Sequence, residues 1–202
     1  MNRTGIILCY FCLLNIVIPF SVSAQGDSSE YLLLATSKTS TMDKEMNEAA
    51  GKGYRYVSVR SGNTTSFWES DEIMVIMSRN PEIDTMDKFP SGQYQYKLLA
   101  TTRPSTMHSE LQEAGDLGFK YRGQASFRRS QGHTELICIL EQDRNRGPTK
   151  YKYLLLATRK TSTMQKELYE SGIKGFEFLG ISLHNGAATG SELVSILYKQ
   201  IQ

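Results

Sequence analysis

One phrase recurs three times in this chain, and the recurrence limits the possible folds more than any other feature. Residues 35–42 read ATSKTSTM, residues 100–107 ATTRPSTM and residues 157–164 ATRKTSTM. Superposed on Ala35, Ala100 and Ala157, the likeness extends well beyond the phrase. Tyr31 matches Tyr96 and Tyr153, and Glu45 matches Glu110 and Glu167. Gly53, Gly118 and Gly175 match, each followed by an aromatic residue, and Glu72, Glu135 and Glu192 each open an apolar run. Self-similarity of this kind marks tandem copies of one supersecondary unit.

Each copy reads as strand, helix, strand, strand. YLLLAT, YKLLAT and YLLLAT are short apolar strands ending in Thr. In the first copy Met42, Met46, Ala49 and Ala50 fall on one helical face, as do Met107, Leu111, Ala114 and Gly115 in the second. Glycine then stops the helix. The second strand alternates, with Tyr54 and Tyr56 about Arg55, so it has one buried face. The third strand, EIMVIM, ELICIL or ELVSIL, is almost continuously apolar, as in a central strand covered on both sides. A right-handed crossover through the helix makes the first two strands parallel and places the third antiparallel between them.

The expected fold class is therefore α+β: three tandem βαββ units, each a three-stranded sheet with one helix, at residues 25–80, 94–142 and 151–202. Residues 81–93 and 143–150 read as linkers, polar and turn-rich. A helix covers one face of so small a sheet. The other face, roughly 250 Å², is worth on the order of 6 kcal/mol when covered, so the units are expected to pack on one another. A pseudo-threefold cluster is the preferred arrangement and one continuous sheet its rival.

The N-terminus reads as a secretory signal peptide over residues 1–24. Arg3 precedes the apolar run Gly5 to Phe20, and Val22 and Ala24 supply small residues for cleavage after Ala24. The expected location is secreted or periplasmic, with no membrane insertion after cleavage. Cys9 and Cys12 leave with the signal, so Cys138 has no partner for an intrachain disulfide. Without Arg3 the chain carries one more basic than acidic residue, with signs mixed along it, which excludes nucleic acid as an expected partner.

YKYLLLAT, GFEFLGIS and ELVSILYK, clearest in the third copy, carry a resemblance. The chain resembles small bacterial families of unknown function with a Tyr-rich strand, a helix ending in glycine, an aromatic strand and an apolar strand. Its triplicated form is similar to uncharacterised exported bacterial proteins. The resemblance implies the fold unit and supplies no catalytic residues.

The residues themselves supply none either. His108, His133 and His184 lack metal-ligand spacing, and Cys138 sits mid-strand, where a structural thiol is expected. No phosphate loop, paired CxxC or nucleophile elbow is present. No cofactor is expected. Glu45, Glu110 and Glu167, or Glu72, Glu135 and Glu192, could ring a threefold axis, although helix-dipole and ion-pair roles account for them. In the repeated phrase Ser40, Ser105 and Ser162 are N-cap candidates, with Thr41, Thr106 and Thr163 as alternatives. Lys38, Arg103 and Lys160 add a cation there, so each helix start is a candidate anion site. Phe67, Trp68, Arg128 and Arg129 are candidate contacts for a protein or glycan partner. The expected function is non-enzymatic binding or scaffolding. The alternatives are an enzyme with its site between repeats and a structural, self-assembling protein.

Overall fold

The computed structural model describes residues 29–62, 71–80, 92–129, 134–147, 149–186 and 190–201. The expected signal peptide over residues 1–24, the Phe67–Trp68 pair and His133 lie outside the described residues. Among the described residues, nine strands and three helices follow the expected order three times. The first unit holds β1 (Glu30–Thr36), α1 (Thr39–Ala50), β2 (Arg55–Gly62) and β3 (Glu72–Arg79). The second holds β4 (Tyr94–Thr101), α2 (Pro104–Asp116), β5 (Lys120–Arg128) and β6 (Thr134–Asp143). The third holds β7 (Lys150–Thr158), α3 (Thr161–Ile173), β8 (Glu177–Gly186) and β9 (Gly190–Ile201). Each sheet runs first–third–second, with the third strand central and antiparallel to both neighbours.

The helices stop where glycine permits it. Gly53, Gly118 and Gly175 have positive φ, and the next residue's N–H returns to a carbonyl five residues back: Tyr54 to Ala49, Phe119 to Ala114, Phe176 to Ser171. This double return is a Schellman cap, and it aims the second strand back along the helix.

The helix starts differ from expectation. The N-cap positions are Lys38, Arg103 and Lys160, without a side-chain cap, so Ser40, Ser105 and Ser162 sit inside the first turn. Thr36, Thr101 and Thr158 explain why. Their hydroxyl oxygens accept from the N–H of Lys38, Arg103 and Lys160, which closes a local turn at the strand end. Pro104 occupies the first helical position, where its missing N–H costs nothing, and it holds Arg103 extended.

The units are stacked in series. Met42, Met46 and Ala49 of α1 share one core with Val75 and Met77 of their own sheet and with Tyr96, Ile137 and Ile139 of the next. Met107 and Leu111 of α2 share a second core with Leu136 and Cys138, and with Tyr153, Val194 and Ile196 of the third unit. The first two helices thus each lie between two sheets and pack chiefly on the first strand of the following unit, whereas among the described residues α3 packs only on its own sheet. Alternate residues of β6 point into different cores, which accounts for its unbroken apolar run. The extensive contacts join first to second and second to third. The pseudo-threefold cluster and the continuous sheet both give way to this stack, because a helix layer intervenes between successive sheets.

Candidate functional site

The side chains that matter most are those joining one unit to the next. In all three units the second strand carries a register shift, between Tyr56 and Ser58, Tyr121 and Gly123, and Phe178 and Gly180. A bulge takes one residue out of the ladder and turns a backbone group away from its neighbour strand. The following unit's tyrosine meets it. Tyr56 N–H donates to the Tyr96 hydroxyl at 2.8 Å, and Tyr121 N–H to the Tyr153 hydroxyl at 2.7 Å. Both hydroxyls also donate, Tyr96 to Glu141 and Tyr153 to the Phe119 carbonyl. Burial pushes the Tyr56 phenol up to about 12 and those of Tyr96, Tyr121 and Tyr153 further.

The helix grips the strand edge as well. Asn47 bonds Tyr96 twice, accepting from its N–H at 2.9 Å and donating to its carbonyl at 3.0 Å, while Asp43 accepts from Leu98 N–H. One unit on, Gln112 makes the same pair of bonds, accepting from Tyr153 N–H and donating to the Tyr151 carbonyl. His108 Nε2 lies 3.3 Å from Tyr153 O. These side chains satisfy an edge that would otherwise be open to another chain. Small residues make the close approach feasible. A Cβ on Gly115 would fall inside contact distance of the Tyr151 carbonyl oxygen, and one on Gly123 inside that of the Tyr56 hydroxyl.

The joints differ in charge. Between the first two units, buried Glu141 pairs with Arg55 at 3.0 Å and with Arg122 at 3.7 Å. These three residues, with Lys120, Asp143 and Arg146, line a polar cleft of about 150 Å³. Among the described residues no histidine, cysteine or serine lines the cleft, and its Arg55 and Arg122 pair with Glu141 across the joint. Between the second and third units the corresponding space holds rings instead, Tyr151, Tyr153 and Tyr198, with centroids 5.9–6.5 Å apart.

The sequence candidates are distributed differently. Lys38, Arg103 and Lys160, with Ser40, Thr41, Ser105, Thr106, Ser162 and Thr163, begin three helices that lie in different layers, so the structure does not gather them. Arg128 pairs with Asp71 of the first unit at 3.3 Å, and Arg129 with Glu135 at 2.8 Å. Both are held in ion pairs, and Arg128 ties two units together. The repeated glutamates form no ring: among the described residues no three His, Cys, Asp or Glu are grouped as for a metal ion. Cys138 is fully buried, and desolvation holds its thiol well above the usual range, the opposite of an activated nucleophile. No described helix is long and apolar enough to cross a membrane.

Both ends of the stack leave a joint half-made. Tyr31 is 71% exposed, against 2% for Tyr96 and 1% for Tyr153. Phe178, at the bulge position, is 54% exposed, against 7% for Tyr56 and 8% for Tyr121. Leu33, Val57 and Ile76 are exposed beside Tyr31, and Tyr169, Ile181 and Leu183 beside Phe178. Reasoning from sequence did not single out these faces. The signal was present in the equivalence of Tyr31 to two buried tyrosines. No family model, curated protein or solved structure matches the chain.

Proposed function

We propose that this is an exported, non-enzymatic binding or scaffolding protein, acting in the cell envelope or outside the cell, and of the same kind as the uncharacterised bacterial repeat proteins it resembles. The observation that carries the reading is the pair of apolar end faces. A repeat stack normally closes with polar outer surfaces, and exposed apolar patches mark interaction sites. Here Leu33 and Ile76 at one end, and Phe178, Ile181 and Leu183 at the other, are exposed. Buried Glu141 and the hydroxyls of Tyr96 and Tyr153, by contrast, serve the joints.

The reading is tested in the producing cell with a photo-reactive phenylalanine analogue at Leu33, at Ile181, or at the exposed helix position Lys44. Protein adducts are expected from the first two positions and not from Lys44. If neither end face gives an adduct, the reading fails.

A further inference from the structure

We infer that the partner is a second copy of this chain, bound head to tail: β1 of one copy docks on α3 and the bulged β8 of the next and so makes a third joint. The inference rests on the binding reading and names its partner. Its ground is continuity with the two interior joints, whose parts recur at the ends.

The incoming end keeps the docking strand. Tyr31 and Leu33 repeat Tyr96 and Leu98, and Tyr153 and Leu155, letter for letter. The outgoing end keeps the socket. The bulge persists at Phe178 and Gly180 although Phe178 is exposed, with no described unit packed on it. Gly172 stands where Gly115 makes room for the Tyr151 carbonyl, yet a Cβ on Gly172 would meet nothing within 4 Å. Glycine inside a helix is less favourable than alanine, so its presence beside open space is explained if a strand passes there. Gln165 and Tyr169 hold the positions of His108 and Gln112, and the Gln165 amide offers the donor and acceptor that grip a strand edge.

The departures are complementary as well. Inside the chain a tyrosine hydroxyl of the second strand abuts a glycine of the next unit: Tyr56 against Gly123, Tyr121 against Gly180. At the ends the two partners change together. The outgoing residue is Phe178, which has no hydroxyl, and the incoming residue is Ser58, which has a side chain to fill the space. Val59 and Ser61 of the first unit become Ile181 and Leu183 in the third, so the outgoing face is strongly apolar, as at lasting interfaces between subunits. Because the two faces differ, the contact is heterologous. It generates a ring if the rotation closes and a filament if it does not.

Two purified variants decide the matter. The incoming-face variant carries Leu33→Asp and Ile76→Asp, and the outgoing-face variant Ile181→Asp and Leu183→Asp. All four positions are exposed, so circular dichroism should match the parent. In sedimentation velocity the parent is expected to gain mass with concentration. Each variant alone should stay a monomer, and their mixture should form one-to-one dimers and nothing larger, since each supplies the face the other lacks. Tyr31→Phe, which only removes the hydroxyl, should weaken association about threefold to tenfold. A parent that stays monomeric, or either double variant that still associates with itself, overturns the inference. End-face adducts containing only a different protein also overturn it while leaving the binding reading intact, whereas absence of any adduct removes both.

Discussion

Strands β1 and β7 both contain YLLLAT, and they meet opposite environments. Tyr153 is buried with its ring among other tyrosines and its hydroxyl on the preceding unit's bulge, whereas Tyr31 stands in the open. The helices show the same contrast from the other side: Gly115 lies against a neighbouring strand and Gly172 against nothing. Identical local sequence has produced identical local structure, and only the presence of a next unit decides whether its apolar surface is covered. The sequence therefore encodes a joint, and the described residues form two of them, leaving β1 exposed at one end and β8 at the other.

Alkali should give the largest difference between occupied and open joints. The phenols of Tyr56, Tyr96, Tyr121 and Tyr153 are all raised by burial. Below the unfolded-state value of about 10, both states keep these protons and pH has no leverage through them. Above it the unfolded chain loses them while the native one retains them, so stability falls at up to roughly 1.4 kcal/mol per pH unit for each tyrosine. Tyrosinate absorbance followed with circular dichroism should show these phenols ionising together with unfolding. Ionisation of all the tyrosines well before unfolding would show that the joints do not bury them.

Truncation compares the two strands directly. Tyr153→Ala should cost about 3–5 kcal/mol in urea denaturation, the usual range for deleting a buried ring. Tyr31→Ala in dilute protein should stay within about 0.5 kcal/mol of the parent. Equal losses would mean that β1 is covered after all.

The two helix glycines should then move in opposite directions. Gly115→Ala forces a methyl against the Tyr151 carbonyl oxygen and should destabilise by about 1–3 kcal/mol. Gly172→Ala enters open space and should raise the melting temperature, gaining at most about 1 kcal/mol of helix propensity. A comparably small effect belongs to Tyr153→Phe, which leaves Tyr121 N–H without its acceptor while keeping the ring. About 1 kcal/mol is expected, and no measurable change would make that hydrogen bond incidental to the joint.

Much of the unit was legible in the sequence. Met42, Met46, Ala49 and Ala50 do form the buried stripe of α1, the glycines do end the helices, and the apolar third strands are central. These features depend on short-range periodicity and backbone preference, which one copy displays by itself. The helix starts were less legible, because two hydroxyl residues suit the same turn. Ser40 suits a cap, yet Thr36 already closes the turn, and Pro104 marks the first helical position in the second copy. The stacking order was not legible, since periodicity shows that a sheet face needs cover without showing what covers it. Nor was the bulge. It shifts the register between Tyr56 and Ser58, just past the alternating Tyr54 and Tyr56, and its purpose emerges only when another unit's hydroxyl reaches it.

The central claim is that the bulge N–H is a socket, filled twice within the chain and once more between chains. Amide hydrogen exchange at Tyr56, Tyr121 and Phe178, followed from dilute to concentrated protein, tests it most directly. The account predicts that Tyr56 and Tyr121 are protected throughout, while Phe178 exchanges quickly in dilute solution and becomes protected as copies associate. A Phe178 amide already as protected as the other two in the dilute monomer, or one that stays fast while the protein associates, would contradict it.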